Sequence, residues 1–184
     1  MHIPENSKKV FSGKLFNIYQ WEQEMYDGSY ETFEMVARQS SVDVIGLVGD
    51  DIIVLMQEQP TKPAFLSLPG GRIERGQTPE EAAHAELLQE TGYCAKKMTV
   101  LAEFFGAPKF FFPETVFVGK DCKKIAQQNL DSGERIVVTL QSCEQFLQLC
   151  RNERFSVPIG LKLMMYETLL DPQKKEAFKQ LIYA

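Results

Sequence analysis

The sequence predicts an α+β protein, a sheet-and-helix sandwich. Two observations lead there. Runs of strand-like residues, bounded by Gly, Asp and Pro turns, fill the chain up to about residue 70 and recur after residue 99, while helical patterns are few. The 184 residues, 44% hydrophobic and 24% charged, are enough for one well-packed domain or one domain with an appended element.

Taken in order, residues 1–38 read as strands, with 18–26 and 29–37 flanking Asp27-Gly28, a strong hairpin signal. This stretch forms an N-terminal antiparallel β element, and residues 39–184 form the main domain. Apolar runs over 42–48 and 52–57 surround Gly49-Asp50-Asp51 and predict a second hairpin. LSLPGG then reads as a strand that ends in a Pro-Gly-Gly loop. The next helix is marked at both ends: Thr78 as N-cap, Pro79 at the first helical position, Glu81 to complete a capping box, and Gly92 to stop it. It spans 79–91. Strands are expected over 99–105, 115–119 and 136–140, and helices over 143–150, 160–170 and 174–182.

Charge and composition exclude several classes. A formal net charge of -5 argues against a large nucleic-acid or anionic-membrane footprint. The N-terminus MHIPENSKKV lacks the apolar core of a secretion signal, and no run of about 18 apolar residues predicts a membrane span. Cys94, Cys122, Cys143 and Cys150 include no C-x-x-C pair, which suits a reduced, cytoplasmic protein. Cys143 and Cys150 read as core residues. His84 reads as a surface residue. Of Phe110, Phe111 and Phe112, at least one ring is expected in the core, with base stacking or a dimer contact as other uses.

The chemistry concentrates in GGRIERGQTPEEAAHAELLQETGY, residues 70–93. At about 100° per residue, Glu86 and Glu90 lie about 40° apart on the helix, with Gln89 about 60° to the other side of Glu86. One face therefore offers two carboxylates and an amide, the oxygen donors that hard divalent cations such as Mg²⁺ take. Gly70-Gly71 lets backbone approach the same place. Glutamates also populate ordinary solvated helix faces, and Glu80 and Glu81 suit the positive end of the helix dipole.

The stretch resembles the Nudix box, G-x5-E-x7-R-E-U-x-E-E-x-G-U, where U is a bulky apolar residue. Gly71, Glu86, Leu87, Glu90, Gly92 and Tyr93 match in register, while Gln77, Ala85 and Gln89 stand where the box has Glu, Arg and Glu. Weaker similarity to the ADP-ribose pyrophosphatase branch runs through the N-terminal strands, VLMQEQPTKPAFLSLPGG, and LDSGERIVV followed by SCEQFLQLC.

The resemblance implies an α/β/α sandwich around a mixed sheet. It implies hydrolysis of the diphosphate bond in a nucleoside diphosphate linked to another group, of the ADP-ribose or nucleotide-sugar type. Mg²⁺ or Mn²⁺ is the expected cofactor, and a homodimer built partly through the N-terminal strands is expected. The implied metal site is Gly70, through its carbonyl, with Glu86, Glu90 and Gln89. Glu134 is the implied general base, with Asp131 a weaker choice, and Glu90 is grouped with it as catalytic. Arg38, Gln59, Arg72 and Glu114 are the implied substrate-binding residues. Gln59 stands where the branch often has an Arg that holds diphosphate, and Ser67 where it often has Glu; Arg38, Lys62, Arg72 and Arg75 are the positive charges that remain. In the family, the residues at Gln77 and Ala85 form a structural ion pair. Losing both partners together avoids a stranded charge. Gln89 replaces a ligand and weakens metal binding, so the alternative function is a catalytically weak or silent nucleotide-binding or regulatory module.

Overall fold

The computed structural model describes residues 2–184. Three strands open the chain: β1 (Lys8–Ser12), β2 (Phe16–Glu24) and β3 (Tyr30–Arg38). β2 and β3 form the expected hairpin, pairing from Phe16 with Arg38 to Glu24 with Tyr30. Its turn is closed by the Asp27 carboxylate, which accepts from the Ser29 N–H at 3.0 Å and the Ser29 hydroxyl at 2.6 Å. Gly28 takes the positive φ of 82° that the turn requires.

The chain continues with β4 (Ser41–Val48), β5 (Asp51–Gln59), β6 (Lys62–Ser67), β7 (Gly70–Arg72) and α1 (Pro79–Thr91). Next come β8 (Tyr93–Cys94), β9 (Lys97–Phe104), β10 (Phe110–Phe111), β11 (Glu114–Lys120), β12 (Lys123–Lys124) and β13 (Arg135–Ser142). α2 (Cys143–Gln148) runs into a 3-10 turn, Leu149–Arg151, so the helix expected over 143–150 tightens in its last turn. β14 (Phe155–Ser156), α3 (Ile159–Leu170) and α4 (Pro172–Tyr183) end the chain. α4 begins two residues before the expected Lys174 because Asp171 caps it, accepting from the Gln173 N–H at 2.8 Å.

The large sheet has the order β14-β6-β5-β4-β11-β9, with β13 on β5 and β7 on β4. β4 and β11 are parallel; the neighbouring pairs β4–β5, β5–β6 and β9–β11 are antiparallel, so the sheet is mixed. Consecutive residues of the central strands face opposite ways. Ile52 and Val54 join Phe146, Phe155, Leu161, Met165, Phe178 and Ile182 on the side of α2, α3 and α4. Ile53 and Leu55 join Val42, Val44, Ala82, Ala83 and Leu87 on the side of α1. Both faces are covered, which is why these strands read as continuous apolar runs. Cys143 and Cys150 lie in the first of these cores. The expected three-layer α/β/α sandwich is present.

One expectation needs correction. The hairpin of β4 and β5 pairs only at Leu47 with Ile52 and Val48 with Asp51. The strands then part: β5 takes β6 and β13 as partners, and the start of β4 takes β7. A wedge opens between β4 and β6, and a cavity fills it. A second correction concerns the Phe run. None of its three rings is buried; Phe110 is exposed, and Phe112 lies under the Arg38 guanidinium at 5.2 Å. His84 is half-buried. Among the described residues no helix is long and apolar enough to cross a membrane.

Candidate active site

α1 carries the central carboxylates, and its position follows from local chemistry. The Thr78 hydroxyl accepts from the Glu81 N–H at 3.2 Å while the Glu81 carboxylate accepts from the Thr78 N–H at 2.8 Å. Gly92 ends the helix at φ 76°. Ala82, Ala83 and Leu87 are buried against the sheet, and the small volumes of the two alanines bring the helix close to β4 and β7. Glu86 and Glu90 flank that apolar stripe, so packing the stripe drives both carboxylates beneath the Gly70-Gly71 turn.

Glu90 is 3% exposed. Its Oε2 accepts from the Gly70 N–H at 2.8 Å, and its Oε1 accepts from Gln57 Nε2 at 3.4 Å. The same Gln57 amide donates to the Ser67 hydroxyl at 2.7 Å. Burial, despite the Gly70 bond and with Glu86, Glu134 and Asp43 adding repulsion, pushes the Glu90 carboxyl up to about 8. Glu86 is half-buried. Burial, then Glu134, Asp131 and Glu74, push its carboxyl up to about 7, with Arg72 opposing. Among the described residues no Lys, Arg or His forms an ion pair with either.

Two cavities meet at Gly70, Gly71 and Arg72. One, of about 330 Å³, is lined on its far side by Glu74, Glu86, Gln89, Asp131 and Glu134. The other, of about 340 Å³, fills the wedge between β4 and β6 and is lined by Arg38, Asp43, Gln59, Lys62, Phe65 and Glu114, among others. The structure thus brings the sequence-predicted residues together in two groups. Gln89 and Glu134 stand with Glu86, while Arg38, Gln59 and Glu114 stand in the second cavity, and Arg72 and Gly70 border both. Glu134 is half-buried and accepts from the Asp131 N–H at 3.2 Å. Gln89 donates to Asp131 Oδ1 at 3.4 Å. Gln77 turns inward on its own loop and accepts from the Glu74 N–H at 3.0 Å; Ala85 is exposed.

Sequence reasoning missed Asp43. Pairing β7 against β4 places it opposite Gly70, and burial with Glu114 nearby pushes its carboxyl up to about 7, with Arg38 opposing. Its signal was a lone carboxylate inside the apolar run of residues 42–48. Gln57 and Ser67, which fix Glu90, were also missed as site residues, because their contacts cross strands.

The donor set suits a hard divalent cation. It is all oxygen, it crowds negative charge, and it holds the Glu86 carboxylate so close to Gly71 that a Cβ there would lie 2.2 Å from Oε1. Among the described residues no three His, Cys, Asp or Glu side chains gather closely enough to hold an ion by themselves. Glu86 and Glu90 would hold one together with backbone, solvent and substrate oxygens.

Loop, carboxylate helix and sandwich together define a Nudix protein. The NUDIX domain model matches residues 37–155, and the chain belongs to that family. The expected class, a Nudix-type pyrophosphohydrolase, is borne out with it. The ADP-ribose pyrophosphatase of Bacillus subtilis (strain 168) is 29% identical over 146 residues, 77% of this chain and 79% of that protein. The methanol dehydrogenase activator of Bacillus methanolicus is 27% identical over 153 residues, 80% and 82% of the two chains. A crystal structure of an ADP compounds hydrolase superposes with a TM-score of 0.71 at 22% identity, covering 92% of this chain and 94% of that one, which shows the shared fold.

Proposed function

We propose that this protein hydrolyses the diphosphate linkage of a nucleoside diphosphate joined to another group, of the ADP-ribose type, with Mg²⁺ or Mn²⁺. The observation that carries this reading is the convergence of Glu86 and Glu90 beneath Gly70-Gly71, where two cavities meet, with no Lys, Arg or His among the described residues ion-paired to either. A diphosphate laid over that turn has its reacting phosphorus on the side of Glu134 and the rest of the molecule in the wedge.

Glu134 acts as general base: it orients a water and takes its proton as the water oxygen bonds to phosphorus and the bridging P–O bond breaks. The departing phosphate carries away the bridging oxygen and its electron pair. Asp131 steadies Glu134 through its backbone N–H. Gln57 and the Gly70 N–H fix the Glu90 rotamer, and Arg72 borders both cavities to meet phosphate charge. When bound, Mg²⁺ or Mn²⁺ supplies Lewis-acid stabilisation of charge developing on the phosphoryl oxygens. The homodimer with residues 1–38 at its interface belongs to the same reading; exposed Val10, Phe11 and Phe16 on that element support it.

The test is turnover of ADP-ribose, sugar nucleotides, dinucleotides and nucleoside triphosphates with Mg²⁺ or Mn²⁺. No product above the level of a Glu86→Gln, Glu90→Gln double variant would sink the proposal. A second reading, a nucleotide-binding regulator with little turnover, is favoured by one observation: Gln89 brings a neutral amide to the carboxylate cavity and turns it toward Asp131. The relative named as an activator lends it support. Thermal stabilisation by ADP-ribose without product formation would select it.

A further inference from the structure

The cavity between β4 and β6 is lined by three cations, and they are not equivalent. Arg38 acts on the half-buried Asp43 and Glu114 carboxyls, and Arg72 acts on Glu86. Each of these has an anion in its surroundings. No carboxylate acts on Lys62 in this way, and like Arg38 and Arg72 it forms no ion pair among the described residues. Its ammonium lies 3.3 Å from the Phe65 ring centroid and donates to the Ser156 hydroxyl at 3.2 Å. Glu58, its neighbour across the β5–β6 turn, is turned to Arg135 at 3.8 Å. Lys62 is exposed, and the slight burial of its ammonium, with no carboxylate beside it, holds its pKa below the ordinary value.

The direction of the side chain matters as much as its charge. Lys62 pairs with Gln59 at the turn end of the hairpin. Its stem folds back along β6 over Phe65 to Ser156, and Ser156 is in register with Ser67. The ammonium is thereby carried along the strand toward Pro69 and the Gly70-Gly71 turn, into the same cavity as Arg38. Gln59, opposite Lys62, contributes only an amide there.

We propose that Lys62, with the Ser156 hydroxyl beside it, binds a phosphate of the substrate on the non-reacting side of the scissile linkage. The inference rests on the nucleoside-diphosphate reading above. It makes Lys62 a binding residue with no part in proton transfer. The Phe65 face that the ammonium now covers is uncovered when Lys62 swings onto the phosphate, and an apolar or planar part of the ligand takes its place. A compact ammonium on a flexible stem suits this exchange, since it needs no fixed bidentate geometry.

The experiment is calorimetric titration of ADP in EDTA into wild type and Lys62→Gln at two salt concentrations, with melting temperatures as a check on folding. Lys62→Gln is expected to weaken ADP about tenfold, the size of one charge-assisted contact. Its affinity should also fall less steeply with salt than that of wild type. In turnover of ADP-ribose with Mn²⁺, KM should rise while kcat holds, the mark of an interaction equally strong in ground and transition states. Equal ADP affinity in the two proteins, or equal salt slopes, overturns the inference. So does turnover with a KM indifferent to the substitution. Salt-sensitive, Lys62-dependent ADP binding in a protein that turns nothing over upholds the inference and removes only the hydrolase reading.

Discussion

Gly71→Ala separates the chemistry of the site from its stability. A Cβ on residue 71 would lie 2.2 Å from Oε1, 2.5 Å from Cδ and 3.0 Å from Oε2 of Glu86. Ordinary carbon–oxygen contact begins near 3.4 Å, so the carboxylate must retreat by more than ~1 Å. Displacements of this size cost on the order of 10²-fold in rate. The obstacle is the end of a flexible side chain and Gly71 has no positive φ, so the fold yields at a cost under ~1 kcal/mol. Gly70→Ala is the contrast. There the Cβ would meet the Val42 carbonyl oxygen at 2.2 Å, a backbone atom of the β4–β7 pairing, and the expected loss is of stability, about 2 kcal/mol or more. The assay is kcat/KM on ADP-ribose with Mn²⁺, Mn²⁺ affinity by paramagnetic resonance, and the melting temperature. Gly71→Ala with wild-type kcat/KM and Mn²⁺ affinity would refute the placement of Glu86 in the metal site.

Three further outcomes follow from the same geometry. Glu86 and Glu90 have folded carboxyls raised to about 7 and 8 from an ordinary 4.5, so between these limits the native state binds more protons than the unfolded one. Stability of the metal-free protein should therefore fall as pH rises from about 5 to 8, and Glu86→Gln with Glu90→Gln should flatten the slope; a flat wild-type profile in EDTA would contradict it. Gln89→Glu adds a carboxylate beside Asp131, 3.4 Å from the present amide. It should tighten Mn²⁺ binding and lower the melting temperature in EDTA, and unchanged affinity would show that residue 89 does not face the ion. Gly92→Ala forces a Cβ to 2.1 Å from the Ala126 carbonyl oxygen at φ 76°. Chemical denaturation should show a loss above ~1 kcal/mol, and a stability equal to wild type would count against the left-handed stop.

What the sequence made legible was what the chain encodes locally. The bounds of α1 could be read from Thr78, Pro79, Glu81 and Gly92 because caps act over three or four residues. The hairpin at Asp27-Gly28 is local in the same sense. The wedge was not legible. Whether β4 stays with β5 depends on β6 competing for the edge of β5 and β7 for that of β4, and nothing within residues 41–59 records that competition. Asp43, Gln57, Ser67 and Lys62 acquire their surroundings only through it. Alternation along β4 placed its apolar residues in two cores but gave no sign that its one carboxylate would sit opposite Gly70.

The same distinction sorts the departures from the Nudix box. Gln77 closes its turn by accepting from Glu74 N–H, and Ala85 opposite is exposed, so both departures are absorbed within a few residues of loop and helix. Neither leaves a buried group without a partner. Gln89 cannot be absorbed that way, because it shares a cavity with Glu86, Asp131 and Glu134, where charge rather than shape is the relevant quantity. An amide there lowers the repulsion among the carboxylates in the absence of a cation and lowers the attraction for a cation when one binds. On the proposed reading the retained architecture and the altered chemistry are thus independent: the first would fix where a diphosphate lies, and the second, through residue 89, would set how strongly the activating cation is held.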